Sequence, residues 1–168
     1  EAAAAEHPED AEAWGNLGMA CVQVRAGAKA VAALEKAVAL DPEEAESHLG
    51  LGYAYSLVGR NDDAAKSFEF YLERNPNDET ALNLIGYSDL GLGQPEKAIP
   101  YFERYAQLAP EDANSHDSLG EGYLTAGRLE DAAREYERAL QLNSTFSNSQ
   151  FMLAGVYQQM GLTEKAIT

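Results

Sequence analysis

AESHLGLGYAYSLVGRNDDAAKSFEFYLERNPND, residues 45–78, reads as two helices and the turn between them. Its apolar residues fall three and four apart, at Leu51, Ala54, Tyr55 and Val58 and again at Ala64, Phe68 and Leu72, the spacing of an amphipathic helix. Gly59 separates the two runs, as a residue free to take positive φ at the end of a first helix. Asn75-Pro76 closes the stretch and predicts an N-cap followed by a first-turn proline for the next helix. No strand pattern accompanies these signals.

The same stretch returns along the chain with a period of 34 residues. Glycine recurs at Gly18, Gly52, Gly86 and Gly120, with Ala154 fifth, each preceded by Leu17, Leu51, Ile85, Leu119 or Leu153. Alanine recurs at Ala30, Ala64, Ala98, Ala132 and Ala166, followed by Leu34, Phe68, Phe102 and Tyr136. Prolines stand at Pro8, Pro42, Pro76 and Pro110, with Ser144 in the next place. The first set of glycines lets two helices approach closely, and the alanines offer the opposing small surface. A single helix pair cannot hide its apolar face, so units of this kind are stabilised by stacking on neighbours. Turn glycines recur at Gly59, Gly93, Gly127 and Gly161, but Gly27 sits two residues later in its unit. The first unit is therefore expected to lengthen its first helix or to use a different turn.

With Trp14, Leu17, Gly18, Ala30, Leu34, Ala37 and Pro42 in one unit and their counterparts in the next three, the chain resembles the tetratricopeptide repeat family. The resemblance covers the whole chain and implies an all-α fold, a right-handed superhelical solenoid of stacked antiparallel helix pairs. It divides the chain into the end of a preceding repeat (1–10, with Ala3 in a small-residue position), four full repeats (11–44, 45–78, 79–112, 113–146) and a partial one (147–168). In this family the first helices line a concave groove that holds a segment of another polypeptide. Carried over by position, the groove residues expected here are Asn16, Met19, Leu49, Tyr53, Asn83, Leu84, Tyr87, Asn114, Asp117, Glu121, Phe151 and Met152. Tyr53 and Tyr87, in the same place of adjacent units, are expected to stand side by side as a clasp for an apolar side chain. The asparagines suit a peptide backbone, and Asp117 with Glu121, one turn apart, suits a Lys or Arg of the ligand.

Family members that hold the acidic C-termini of chaperones use a clamp of Lys, Arg and Asn. Here those places carry Gly15, Met19, Leu49 and Asp117, so chaperone tails are excluded as partners.

Several residues break the pattern. Tyr71 and Tyr105 replace alanine and are expected to alter how units stack. Pro100, near the start of a second helix, is expected to cause a mild bend. Asp89 stands where Cys21, Tyr55, Tyr123 and Tyr157 occupy the interior register. An unpartnered buried carboxylate is costly, so Asp89 is expected either to turn out to solvent through a looser helix end at Gly91 and Gly93, the favoured reading, or to accept a hydrogen bond from a neighbouring tyrosine.

Other motifs imitate chemistry. Ser115-His116-Asp117 has the letters of a catalytic triad, yet successive helical side chains diverge by about 100°. His48 and His116 share the packing position of Trp14 and read as structural. Gly91-Leu92-Gly93 follows a helix, not a strand, and lacks the rest of a nucleotide-binding loop. Asn143-Ser144-Thr145 matches a glycosylation triplet too common by chance to carry an expectation. No histidine pair has metal-ligand spacing, and no cofactor or metal is expected.

Twelve Lys and Arg against 28 Asp and Glu leave a net charge of -16, which argues against nucleic acid and favours a neutral or basic polypeptide partner. One cysteine, Cys21, allows no internal disulfide. No apolar run approaches bilayer length, and EAAAAEHPED is no signal peptide, which leaves cytoplasm and periplasm both open. The expectation is a non-enzymatic interaction scaffold, part of a larger protein. The alternative is a self-assembly module whose unfinished ends stack copies into homo-oligomers.

Overall fold

The computed structural model describes residues 6–162, which belong to two compact units, Glu1–Ala81 and Leu82–Thr168. The described residues hold nine α-helices and no strand. In the first unit lie α1 (Ala11–Gln23), α2 (Gly27–Leu40), α3 (Ala45–Leu57) and α4 (Asn61–Arg74); α5 (Glu79–Gly91) begins in it and ends in the second. The second unit continues with α6 (Pro95–Leu108), α7 (Ala113–Thr125), α8 (Leu129–Leu142) and α9 (Ser147–Gln159). First helices have 13 residues and second helices 14. The expectations for Ala3 and Ala166 lie outside the described residues.

Within the first unit α1 packs on α2 and α3, α2 on α3, and α3 on α4; within the second α7 packs on α6, α8 and α9, and α8 on α9. The register glycines explain the close approach. A Cβ at Gly18 would come within 2.3 Å of Leu34, at Gly52 within 2.5 Å of Phe68, and at Gly86 within 2.4 Å of Phe102. The glycine thus accommodates the large residue of the paired helix, not its alanine. Ala30, Ala64, Ala98 and Ala132 are fully buried beside it.

Each turn closes as a Schellman motif, in which the amide just past the turn residue returns to a carbonyl five residues back. Arg60 N reaches Tyr55 O at 2.9 Å, Gln94 N reaches Asp89 O at 2.9 Å and Arg128 N reaches Tyr123 O at 2.9 Å. Gly59, Gly93, Gly127 and Gly161 take φ near +70° (74°, 69°, 75° and 74°). The first unit keeps this turn, against expectation: α1 ends in register at Gln23, Ala26 N bonds Cys21 O at 2.8 Å, and Arg25 itself adopts φ 55°. Gly27 has a different task, because a Cβ there would meet Val58 Cγ1 at 2.7 Å.

The helix entries also differ from expectation. Asp41 and Asn75 are C-caps of α2 and α4, with Pro42 and Pro76 directly behind them. A proline there blocks continuation of the finished helix. The side chains that cap the next helix come later: Glu44 accepts from the amides of Glu46 (3.1 Å) and Ser47 (2.5 Å), and Asp78 from Ala81 N at 2.9 Å. Asp112 accepts from Asn114 N at 3.0 Å. Helix α6 runs on through Pro100. No helix among the described residues is long and apolar enough to cross a membrane.

Candidate functional site

In four repeats the fourth residue ties the first helix to the loop before it. Trp14 Nε1 donates to Pro8 O (3.1 Å) and Gln150 Nε2 to Ser144 O (2.7 Å), while His48 Nε2 meets Pro42 O at 2.9 Å and His116 Nε2 meets Pro110 O at 3.1 Å. A carbonyl only accepts, so both histidines carry a proton on Nε2. His48 also stacks on Phe70 at 3.7 Å, and His116 Nδ1 lies 2.8 Å from Glu135 Oε2. The Ser115-His116-Asp117 run does not converge: Ser115 Oγ donates backward to Ala109 O and Asp112 O, and Asp117 faces α9. Among the described residues no group of three or more His, Cys, Asp or Glu is placed to hold a metal ion.

Interior tyrosines cross from one repeat to the second helix of the repeat before it. Tyr55 donates to Glu35 Oε1 at 2.9 Å, Tyr123 to Glu103 Oε1 at 2.8 Å, and Tyr157 to Glu137. Burial, then the carboxylate partner, pushes each of these hydroxyls up to about 12. Arg60 and Arg128 lie over the rings of Tyr55 and Tyr123 at 4.2 and 4.3 Å. Asp89 in the same register is 6% exposed, so the expectation that it turns to solvent is wrong. Helix α5 stays regular to Gly91, and a helical register points inward whatever side chain occupies it. Tyr71 and Tyr105, expected mainly to change stacking, reach the cap of the following helix: Asp78 at 3.0 Å and Asp112 at 2.6 Å.

On the first-helix face of the first unit, Asn16 is exposed, and Met19, Leu49 and Tyr53 are half-buried. Tyr53 sets its ring at 90° to Phe68, 5.9 Å away. Asn16 and Met19 line a cavity of 440 Å³, together with Gly15, Glu44 and Ser47.

In the second unit Asn114 is exposed and Asn83, Leu84, Tyr87, Glu121 and Met152 are half-buried, while Phe151 is 79% exposed. Met152 packs against the core around Phe102 and Tyr136. Asp117 is not the open carboxylate expected. It is 4% exposed, and it accepts from Asn148 Nδ2 at 2.7 Å and Ser149 Oγ at 2.5 Å. Tyr87 is likewise engaged: its hydroxyl donates to Glu121 Oε2 at 3.1 Å and lies 3.3 Å from Ser118 Oγ, and its ring meets Phe102 edge-on at 5.3 Å. Burial first, then these acidic neighbours, raises its pKa.

Tyr53 and Tyr87 belong to different units, and each ring rests on the aromatic residue of its own repeat. Sequence reasoning missed this polar cluster of Tyr87, Asp117, Ser118, Glu121, Asn148 and Ser149. Its visible signal was Asp117, fifth in its repeat, with Ser149, third in the next.

The model of the cytochrome c-type biogenesis protein H TPR domain matches residues 3–116, more than half of the chain. No curated protein matches it. Among solved structures, "Crystal structure of MamA protein" is 22% identical with a TM-score of 0.85, over 94% of this chain and 86% of that one. "MamA 41-end from Desulfovibrio magneticus RS-1" is 22% identical, TM-score 0.86, over 94% and 89%. YrrB, "a TPR protein with an unusual peptide-binding site", is 24% identical, TM-score 0.82, over 98% and 84%. These likenesses show the fold, an all-α tetratricopeptide solenoid.

Proposed function

The chain belongs to the cytochrome c-type biogenesis protein H TPR domain family, and on that premise we propose that it is a non-enzymatic scaffold holding a segment of another polypeptide on its first helices. The observation that carries this reading is the cavity of 440 Å³ opening between Asn16 and Met19, two residues of the expected groove. A cavity of that size lies within the range of ligand pockets, about 300–1,000 Å³. The unusual peptide-binding site of YrrB supports the same use of the fold. The net charge of -16 favours a neutral or basic partner over nucleic acid or an anionic chaperone tail. The family offers cytochrome c-type biogenesis as the setting in which to seek that partner.

Affinity capture tests this. Asn16→Arg and Leu84→Arg place positive charge on the first-helix face, and each is expected to lose a basic partner that Glu69→Gln, on exposed α4 surface, retains. Equal capture by all three variants and the parent protein refutes the reading.

A second reading, self-assembly between copies, draws on a 580 Å³ recess lined by Trp14, Leu17, Cys21, Lys29, Ala32, Ala33 and Lys36. It predicts light-scattering mass that rises with protein concentration and returns to the monomer value in Trp14→Glu.

A further inference from the structure

Helix α1 departs from the other first helices at one register position of the binding face. Where α3 carries Leu49, α5 Asn83, α7 Asp117 and α9 Phe151, α1 carries Gly15. In α7 this residue spans to the following first helix, as the bonds from Asp117 to Asn148 and Ser149 show. In α1 no side chain does so, and a Cβ at Gly15 would stand 3.3 Å from Ser47 Oγ. The space left open is the 440 Å³ cavity, with Met19 as its apolar floor. Four carboxylates, Glu12, Asp41, Glu44 and Glu46, are among its lining residues, and no Lys or Arg is.

Glu44 is built in rather than merely nearby. Its carboxylate caps α3 through the amides of Glu46 and Ser47. Burial raises its pKa, but the hydrogen bonds from Ser47 and Glu46 outweigh that and hold it below the ordinary carboxylate value. A fixed negative charge therefore sits beside an apolar floor in a recess that has room for a side chain.

The geometry points to a specificity pocket for one lysine or arginine side chain of the bound segment, its aliphatic stem on Met19 and its cationic head among Glu12, Glu44 and Glu46. Apolar stem and charged head are the two halves of such a side chain, and a pocket of two matching halves selects it over an apolar or an acidic one. This deepens the scaffold reading and rests on it.

The test is an NMR titration of the whole 15N-labelled chain with three probes, Ac-Ala-Arg-Ala-NH2, its norleucine counterpart and its glutamate counterpart. Saturable shifts of the Gly15, Asn16 and Ser47 amides are expected with the arginine probe. At least tenfold weaker binding is expected with norleucine, and none with glutamate. Gly15→Leu, which installs the side chain α3 carries in the same register, should abolish the arginine shifts. The Glu12→Gln, Glu46→Gln double variant, exposed at both positions, should weaken them at least tenfold without disturbing the fold.

Equal shifts with norleucine or glutamate, or arginine shifts that survive Gly15→Leu, overturn the pocket. Partner capture separates this failure from that of the scaffold. Loss of capture in Leu84→Arg but not in Gly15→Leu sinks the pocket alone, whereas capture by every variant sinks both.

Discussion

Arg25 and Asp117 show how much a single residue's setting decides. Arg25 holds a left-handed conformation that its four counterparts fill with glycine, because the Schellman bond of the turn requires positive φ there. A side chain in that region costs on the order of 1 kcal/mol. Arg25→Gly is therefore expected to stabilise the protein by about 1 kcal/mol, read as a higher urea midpoint with unchanged slope. Asp117→Ala should destabilise by about 1–3 kcal/mol, because it leaves the Ser149 hydroxyl and Asn148 amide without their acceptor.

Neither setting was legible in the sequence. The misplaced Gly27 hid the persistence of the turn, since its own role is to make room for Val58, a contact between residues 31 apart in the chain. The burial of Asp117 depends on which face the next first helix covers, and periodicity within one helix carries no information about that.

At the scale of the element, the helix pair was almost fully legible, down to starts at Ala11, Ala45, Ala113 and Ser147. Its logic is local, as three- and four-residue apolar spacing, a turn glycine and a register glycine act within one repeat. The caps were misread because Asp-Pro and Asn-Pro serve equally well to end one helix or to begin the next, and only backbone geometry distinguishes the two uses. Gly52→Leu should be among the most damaging substitutions, costing about 3 kcal/mol or more, since its Cβ would enter the Phe68 ring at 2.5 Å. Thermal unfolding with a reversible baseline checks it.

The tyrosine–glutamate links between helices make a further prediction. Tyr55, Tyr123 and Tyr157 have hydroxyls raised to about 12 against an ordinary value of about 10. A raised pKa favours the protonated hydroxyl in the folded state. Its stabilisation is complete below pH 10 and lost as pH climbs through 12. Tyrosinate absorbance should accordingly show a late-ionising fraction that shrinks by three hydroxyls in Tyr55→Phe, Tyr123→Phe, Tyr157→Phe protein, with Tyr71 and Tyr87 still ionising late.

For the whole molecule, the charge of -16 and the cavity in the first helices support one account: a polypeptide scaffold that selects a basic residue. The candidate face was only partly legible. Of the expected face, Asn16 and Asn114 are exposed, and Met19 and Leu49 are half-buried. Tyr87 and Asp117 are committed to hydrogen bonds inside the protein. The cavity itself was invisible in the sequence, because Gly15 reads as one more small residue until its neighbours in space are known.

The measurement that tests the account most directly is hydroxyl-radical footprinting of the chain with and without its captured partner. Binding on the first helices predicts protection of Met19, Leu49, Tyr53 and Leu84, with Phe70 on α4 and Tyr101 on α6 unchanged. Protection of Phe70 and Tyr101 with Met19 and Leu84 left reactive would contradict it.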